Sequence, residues 1–455
     1  MKKAIGSEMQ DRDIGFRARP VRPDFIPVED YTSQEFTALE HERLWPRVWL
    51  IAAREQQFQQ TGDFVRFDIG KDRIVIVRKE DGSLGAFYNV CQHRGRLLVD
   101  APSGNIGDHF TCKYHAWRYD LDGATRYIHH HDDWSSCPTF AEEQVSLKSL
   151  RVDTWGGWVW VTMDPQSKPL REFLAPATDL LGPFEFEKLR ITWYKTVRVR
   201  CNWKAAIEAF DEAYHVAGTH PQTARGGSAA VPKAPAVRVG DHSVIRINRN
   251  NRTTSGRVVG DPRQRMLESI RDLAETLQAL YTDHYLRAVE RLAVEVPADA
   301  DLGQELKRLH REEMENAGAR WPAELTDEII NTAGDTWHFF PNTVMLASYN
   351  GALWYRARPD GLDHEYCYFD IWWLGRHAPG QEPPIRHDVY KSPQDFGDTN
   401  PFLAQDFSNM EQVQEGMNSR GFTGARTNPV QEAAVAHLHE VLHAYLFGDA
   451  EKPEV

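Results

Sequence analysis

The sequence has little cysteine, no long apolar run and no excess of positive charge. Five cysteines among 455 residues cannot form the disulfide framework of a small secreted domain, and a chain of this length buries a core without one. No uninterrupted apolar stretch approaches the roughly 20 residues that cross a bilayer, and residues 1–10 lack the apolar centre of a secretory signal. Acids outnumber bases 66 to 53, for a net charge of −13, which disfavours nucleic acid and anionic membranes as partners. Repeats and low-complexity tracts are also missing. A cytoplasmic globular protein of two domains is the expectation.

Two of the few cysteines stand beside histidines. Cys91-Gln92-His93 and Cys112-Lys113-Tyr114-His115 are mixed pairs, separated by residues 94–111. Two thiolates with two imidazoles are the ligands of a Rieske [2Fe–2S] cluster, in which sulfur holds one iron and nitrogen the other. A structural zinc site is the alternative, but zinc sites usually pair cysteine with cysteine. Strand-like runs and Asp-Gly turns flank both pairs: 73–78, Asp81-Gly82 and 86–90 before the first, 117–121 and Asp122-Gly123 after the second. Two β-loops converging on a redox centre are expected. The remaining Cys137, Cys201 and Cys367 read as inert buried thiols.

The texture changes along the chain. Residues 1–45 read as a lead-in ending in a short helix at 33–44, residues 46–165 as strand-rich, and residues 166–455 as an α+β mixture. Within the last segment a strand is expected at 190–200, a helix from near Asn202, helices across 263–290 and 302–317, a hairpin of 343–356 with 364–373 around Pro359-Asp360-Gly361, and a closing helix at 429–446.

A second constellation follows Asn202. Glu208, Glu212 and His215 are spaced i, i+4 and i+7, one face of a continuous helix, with Asp211 close to it. His220 would lie about 140° from His215 on that helix. A break at Gly218, with Pro221 following, could swing it back. Two histidines with a carboxylate form the facial triad of non-haem Fe(II) oxygenases, which leaves positions open for O₂. On residues alone Asp370, Asp398 and Asp406 are equal candidates for the carboxylate.

Taken together, Cys91-Gln92-His93-Arg94-Gly95-Arg96, Cys112 to Trp117, Asn202-Trp203-Lys204 and Glu212 to Pro221 resemble the large (α) subunit of the Rieske non-haem iron oxygenases, in particular the aromatic-ring-hydroxylating group. The resemblance implies a small all-β Rieske domain at 46–165 and a catalytic domain at 166–455 built on a helix-flanked antiparallel (helix-grip, START-like) sheet, with residues 1–45 packed on it. It implies Asp406, in Asp406-Phe407-Ser408-Asn409-Met410-Glu411, as third iron ligand beside His215 and His220. Most members place an aspartate three residues before the first iron histidine, as a bridge to a cluster histidine of the neighbouring subunit. Here Glu212 stands there, preceded by Asp211, as in members that oxidise N-methyl ammonium compounds. Ala209 stands where some dioxygenases have asparagine near the iron.

The implied activity is that of a terminal oxygenase hydroxylating an aromatic or similarly apolar substrate with O₂ and electrons from NAD(P)H. A ferredoxin and/or flavin reductase would deliver them to a homotrimer or, with a small β subunit added, an α3β3 assembly. N- or O-demethylation is the alternative within the class. A plain Rieske electron carrier is the alternative outside it, disfavoured by length. Other features read blandly: His129-His130-His131 as a surface loop, Trp117 as packing over the cluster, Asn202-Trp203-Lys204 as the start of a helix. The apolar residues within 343–373 fit either a pocket or core, and 262–335 either a roof or added bulk.

Overall fold

The computed structural model describes residues 19–137, 139–220, 235–246, 260–334, 336–397 and 399–448. Apolar runs between residues 50 and 162 form a seven-stranded antiparallel sheet. Its order is Leu50–Arg54, Trp158–Thr162, Ser149–Trp155, Leu84–Tyr88, Asp72–Arg78, Asp63–Ile69, Ser103–Asn105. Three short strands, His109–Thr111, Arg118–Asp120 and Thr125–Tyr127, make a separate small sheet.

The second large sheet has eight strands: Ala236–Val239, His242–Ile245, Thr336–Phe339, Thr343–Ser348, Gly351–Asp360, Asp363–Gly375, Arg190–Val199, His387–Tyr390. All neighbours are antiparallel except Arg190–Val199 and His387–Tyr390. The run expected as one strand at 343–356 is two strands, because Tyr349-Asn350 turns the chain and Ser348 pairs with Gly351. The long hairpin of Gly351–Asp360 with Asp363–Gly375 forms around the expected turn.

Helices cover this sheet. Asp261, Thr282, Asp301 and Thr326 accept backbone N–H bonds at the heads of Pro262–Leu277, Asp283–Glu295, Leu302–Asn316 and Asp327–Ala333. The helix expected across 263–290 is broken where Gln278 and Leu280 take left-handed backbone angles. These helices build a core of their own from Ile270, Val289, Leu292 and Leu309, while Leu277 also joins the core around Leu403 and Phe407 and its carbonyl accepts from Asn400. The lead-in contributes Glu29–Thr32, Gln34–Leu39 and a π turn at Glu40–Leu44. Its Glu40 is fully buried against Lys204 Nζ and accepts from Trp203 Nε1, so Asn202-Trp203-Lys204 serves helix capping and packing.

The two sheets meet around Asp370. Arg356 Nη2 and Arg358 Nε each lie 2.7 Å from its Oδ2, Thr196 donates to Oδ1, and the same arginines donate to Ile51 O and Asp68 O across the junction. Burial alone would raise this carboxyl, but the two guanidiniums hold it well below the usual range. Asp370 is thereby a structural anion. Cys137, expected to be buried, is exposed, whereas Cys201 and Cys367 are buried.

Candidate metal centres

Two tight loops bring the cysteine–histidine pairs together. Cys91 N donates to Arg96 O (2.8 Å) and Gly95 N to Cys91 O (3.0 Å); Cys112 N donates to Trp117 O (2.8 Å) and Ala116 N to Cys112 O (3.0 Å). The fourth residue after each cysteine, Gly95 or Ala116, has a left-handed φ, so the loops are near copies. Asn89 pins the first by accepting from Leu98 N and Val99 N. The His93 and His115 rings lie 4.6 Å apart. Trp117 is buried and stacks on His93 at 4.8 Å and 10°, the packing role expected of it.

The residues present fit a [2Fe–2S] cluster. Cys91 and Cys112 are buried and unpaired by any disulfide. Nδ1 of His115 is buried with no hydrogen-bond partner, a lone pair that a metal would occupy. Burial pushes the Cys91 thiol up, so a thiolate there needs a cation. Tyr119 Oη accepts from Gln92 N (3.1 Å), which leaves its own hydrogen for Cys91 Sγ at 3.3 Å. His129, His130 and His131 lie exposed, as expected of a surface loop.

The second centre begins with a correction. The helix from Asn202 stops at Glu208, and Phe210 N and Asp211 N close tight turns onto Ile207 O and Glu208 O. Glu212 Oε2 then accepts from Tyr214 N and His215 N, heading a short helix at Val216–Thr219. Glu208, Glu212 and His215 therefore do not share one helical face. Glu208 points to Tyr31 and His439, while Glu212 Oε1 lies 2.7 Å from Nδ1 of His215. The short helix runs through Gly218, so the break expected there is not realised; the chain breaks earlier, after Glu208, and His220, the non-helical C-cap, has its ring 5.5 Å from that of His215.

Asp406 comes from the helix Pro401–Met417, capped by Asn400. It lies inside that helix and is no N-cap. Its Oδ1 is 3.0 Å from Nε2 of His220 and 3.7 Å from Nε2 of His215, and the three donor atoms fall within 4.8 Å of one another. Both Nδ1 atoms are held from behind, His215 by Glu212 and His220 by Gln405 Oε1 at 2.7 Å. Each imidazole thus turns Nε2 to a common point, the arrangement a metal requires. His220 and Asp406 are 1% and 2% exposed, against 23% for His215, so access to that point is from the His215 side. Burial opposes protonation of His215, but Glu212 and Asp406 more than offset it and raise its pKa. The site would hold a dication in place of that proton.

Gln405 and Tyr355 were not singled out in the sequence. Tyr355 packs on Phe210 at 4.2 Å and feels the charge of Asp406; burial, then Asp406, pushes its hydroxyl well up. Phe210, Tyr355 and Phe369 make an aromatic wall there, while most apolar residues of 343–373 are buried core.

Asp211 points away from His215. It is buried with Oδ2 3.2 Å from Nδ1 of His338, whose Nε2 donates to Pro341 O. Burial, then Glu208 and Glu212, drive its pKa well up, and burial lowers His338 to about 3. Both shifts favour the uncharged forms. Asp370 is committed to two arginines, and Asp398 lies outside the described residues. Among the described residues no hydrogen bond or ring contact joins His93 or His115 to Asp211, Glu212 or His215.

Residues 186–448 match the family model of the ring hydroxylating alpha subunit (catalytic domain), and residues 48–141 that of the Rieske [2Fe–2S] domain. The oxygenase subunit of glycine betaine monooxygenase from Pseudomonas aeruginosa is 28% identical over 221 residues, 49% of this chain and 48% of that one. Benzene 1,2-dioxygenase subunit alpha from Pseudomonas putida is 32% identical over 193 residues, 42% of each. The chain thus spans about half the length of the curated relatives it matches. A crystal structure of a quaternary ammonium Rieske monooxygenase with γ-butyrobetaine superposes with a TM-score of 0.64 at 19% identity, covering 94% of this chain and 99% of that one. That likeness is one of fold. No helix among the described residues is long and apolar enough to cross a membrane.

Proposed function

Because the chain belongs to the ring-hydroxylating oxygenase alpha-subunit family and carries a Rieske [2Fe–2S] domain, we propose that it is a terminal oxygenase that demethylates a quaternary ammonium compound. The carrying observation is the convergence of two Nε2 atoms and one carboxylate oxygen, each imidazole tied back through Nδ1. Cys91, His93, Cys112 and His115 would hold the cluster, and His215, His220 and Asp406 the ferrous iron. When bound, the two centres supply single electrons and O₂ chemistry.

The chain's own residues supply position. Glu212 and Gln405 fix the rings of His215 and His220, and Asp406 faces both. Tyr355 and Phe369 are buried behind Phe210, which is part-exposed, and an aromatic face attracts a methylammonium cation. Glu212 at the bridge position and the likeness to glycine betaine monooxygenase favour N-demethylation over the aromatic hydroxylation that the sequence first suggests. Ring hydroxylation is the second reading, favoured by the same aromatic wall and by benzene dioxygenase.

Electrons would reach the cluster from NAD(P)H through a reductase or ferredoxin. Among the described residues no hydrogen bond or ring contact joins His93 or His115 to Glu212 or His215, and Tyr114 and Tyr214, each 55% exposed, stand beside His115 and His215. Such faces suit contact between subunits, with Glu212 of one meeting a cluster histidine of the next in a homotrimer. Incubation with ¹⁸O₂, reductase and a panel of glycine betaine, carnitine, γ-butyrobetaine and benzene tests the reading. Formaldehyde from an ammonium substrate is expected. A doubly labelled cis-diol from benzene, with no formaldehyde, would select the second reading.

A further inference from the structure

One face of a single helix grips the second candidate iron-ligand histidine. In Pro401–Met417, Phe402, Gln405, Asp406 and Asn409 are spaced i, i+3, i+4 and i+7, a continuous stripe. The Phe402 ring lies flat on that of His220, with centroids 3.9 Å apart and planes 10° from parallel. Gln405 Oε1 lies 2.7 Å from Nδ1 of His220, and Asp406 Oδ1 lies 3.0 Å from its Nε2. One turn further on, Asn409 Nδ2 donates to Thr219 Oγ1 at 3.0 Å. Four residues of one helix thus meet a ring face, both ring nitrogens and the preceding side chain.

The helix is itself fixed from behind. Asn400 caps it by accepting from Leu403 N and ties it to Leu277 O at 2.6 Å. Leu403 and Phe407 are buried, and Phe407 packs edge-on against Phe369 at 5.4 Å and Phe396 at 5.2 Å. His215 is held in another way. Glu212, three residues earlier in the same segment, takes both its Nδ1 and its backbone N–H, and its Nε2 stands 3.7 Å from Asp406 Oδ1. Two different elements therefore present the two imidazoles.

The contacts on His220 divide the work. An amide oxygen only accepts hydrogen bonds, so Nδ1 carries the hydrogen and Nε2 keeps its lone pair for a metal. That hydrogen bond sets where the ring points within its plane, and the stack sets the plane itself. A ring that donates to a dication becomes electron-poor, and an aromatic face attracts it the more. An aliphatic side chain of similar size would fill the space without that attraction.

We infer that Phe402, Gln405 and Asn409 are positioning residues of the iron site. The stripe docks His220 on the helix that also carries Asp406, so these two ligands form one rigid half of the site. His215 supplies the other half from its own segment. The inference rests on the iron reading of this site, and the three residues act through His220.

The test uses the whole enzyme, stripped of mononuclear iron by a chelator with its cluster retained. It is titrated with Co(II) and followed by electron paramagnetic resonance, in which the oxidised cluster is silent. Phe402→Leu should bind Co(II) roughly 10–100-fold more weakly, with an altered signal shape and unchanged cluster absorption. Phe402→Tyr keeps a flat ring and should restore both affinity and signal. Wild-type affinity and signal in F402L would mark plain packing and overturn the inference. So would an F402Y that fails as F402L does. If F402L does not fold, Asn409→Ala decides, at an exposed position: weaker binding by up to about tenfold is expected, and unaltered binding overturns the stripe. Wild-type protein that takes up no Co(II) at this site contradicts the iron reading and the inference with it. An enzyme that shows the expected metal response yet demethylates nothing counts against the proposed substrate class and supports the stripe.

Discussion

Glu212 Oε1 lies 2.7 Å from Nδ1 of His215, and the same carboxylate caps His215 N at 2.9 Å. One side chain thus fixes both the ring and the backbone of a candidate iron ligand. Glu212→Ala frees that ring and should weaken iron binding roughly 10–100-fold. Glu212→Gln retains an acceptor and should keep the iron. It should slow cluster-to-iron electron transfer about tenfold or more if the carboxylate also serves the neighbouring subunit. Metal titration with freeze-quench spectroscopy separates the effects. If Asp211→Asn slows transfer and Glu212→Gln does not, the bridge is Asp211.

Two buried aspartates should respond in opposite ways. Asp406→Ala removes a ligand and should abolish mononuclear iron while leaving the fold and cluster intact. Asp370→Ala strands Arg356 and Arg358 at the junction of the sheets, at a cost of about 3–5 kcal/mol. Denaturant titration beside iron analysis distinguishes them.

Stability should fall on the alkaline side. The pKa of His439 is raised to about 9, so its contribution is complete below the ordinary histidine pKa of about 6.5 and is lost as pH rises through about 9. A fully buried shift of that size corresponds to a few kcal/mol. Melting curves between pH 6 and 10 should show the decline, and His439→Gln should flatten it.

Tyr119→Phe removes the hydroxyl that reaches Cys91 Sγ. Hydrogen bonds to cluster sulfurs help set the potential, and losing one disfavours the more negative reduced state. Spectroelectrochemistry should find a lower potential with an unchanged visible spectrum.

The cysteine–histidine pairs were legible because each pair closes within a loop of a few residues, so spacing alone fixed their neighbourhood. His215 and His220 were legible for the same reason. The continuous helix through Glu208 and His215 was not realised. Its residues favour helix, but Glu212 folds back to cap the next turn and Asp211 turns inward to His338, a competition typical of short carboxylate side chains near helix ends. Asp406 and Gln405 lie far along the chain, and only the fold brings them to the histidines; family resemblance named the first and nothing in the sequence named the second. The same holds for His439, which meets Asp30 across 409 positions. The turn at Tyr349-Asn350 was missed because apolar residues continue on both sides of it.

Iron and acid-labile sulfide analysis, beside the visible spectrum, tests the central claim most directly. The wild-type chain should bind about three irons, of which the cluster accounts for two, and Asp406→Ala about two with the same spectrum. A wild-type chain with only about two irons would contradict the second centre, and zinc without visible absorption would contradict both.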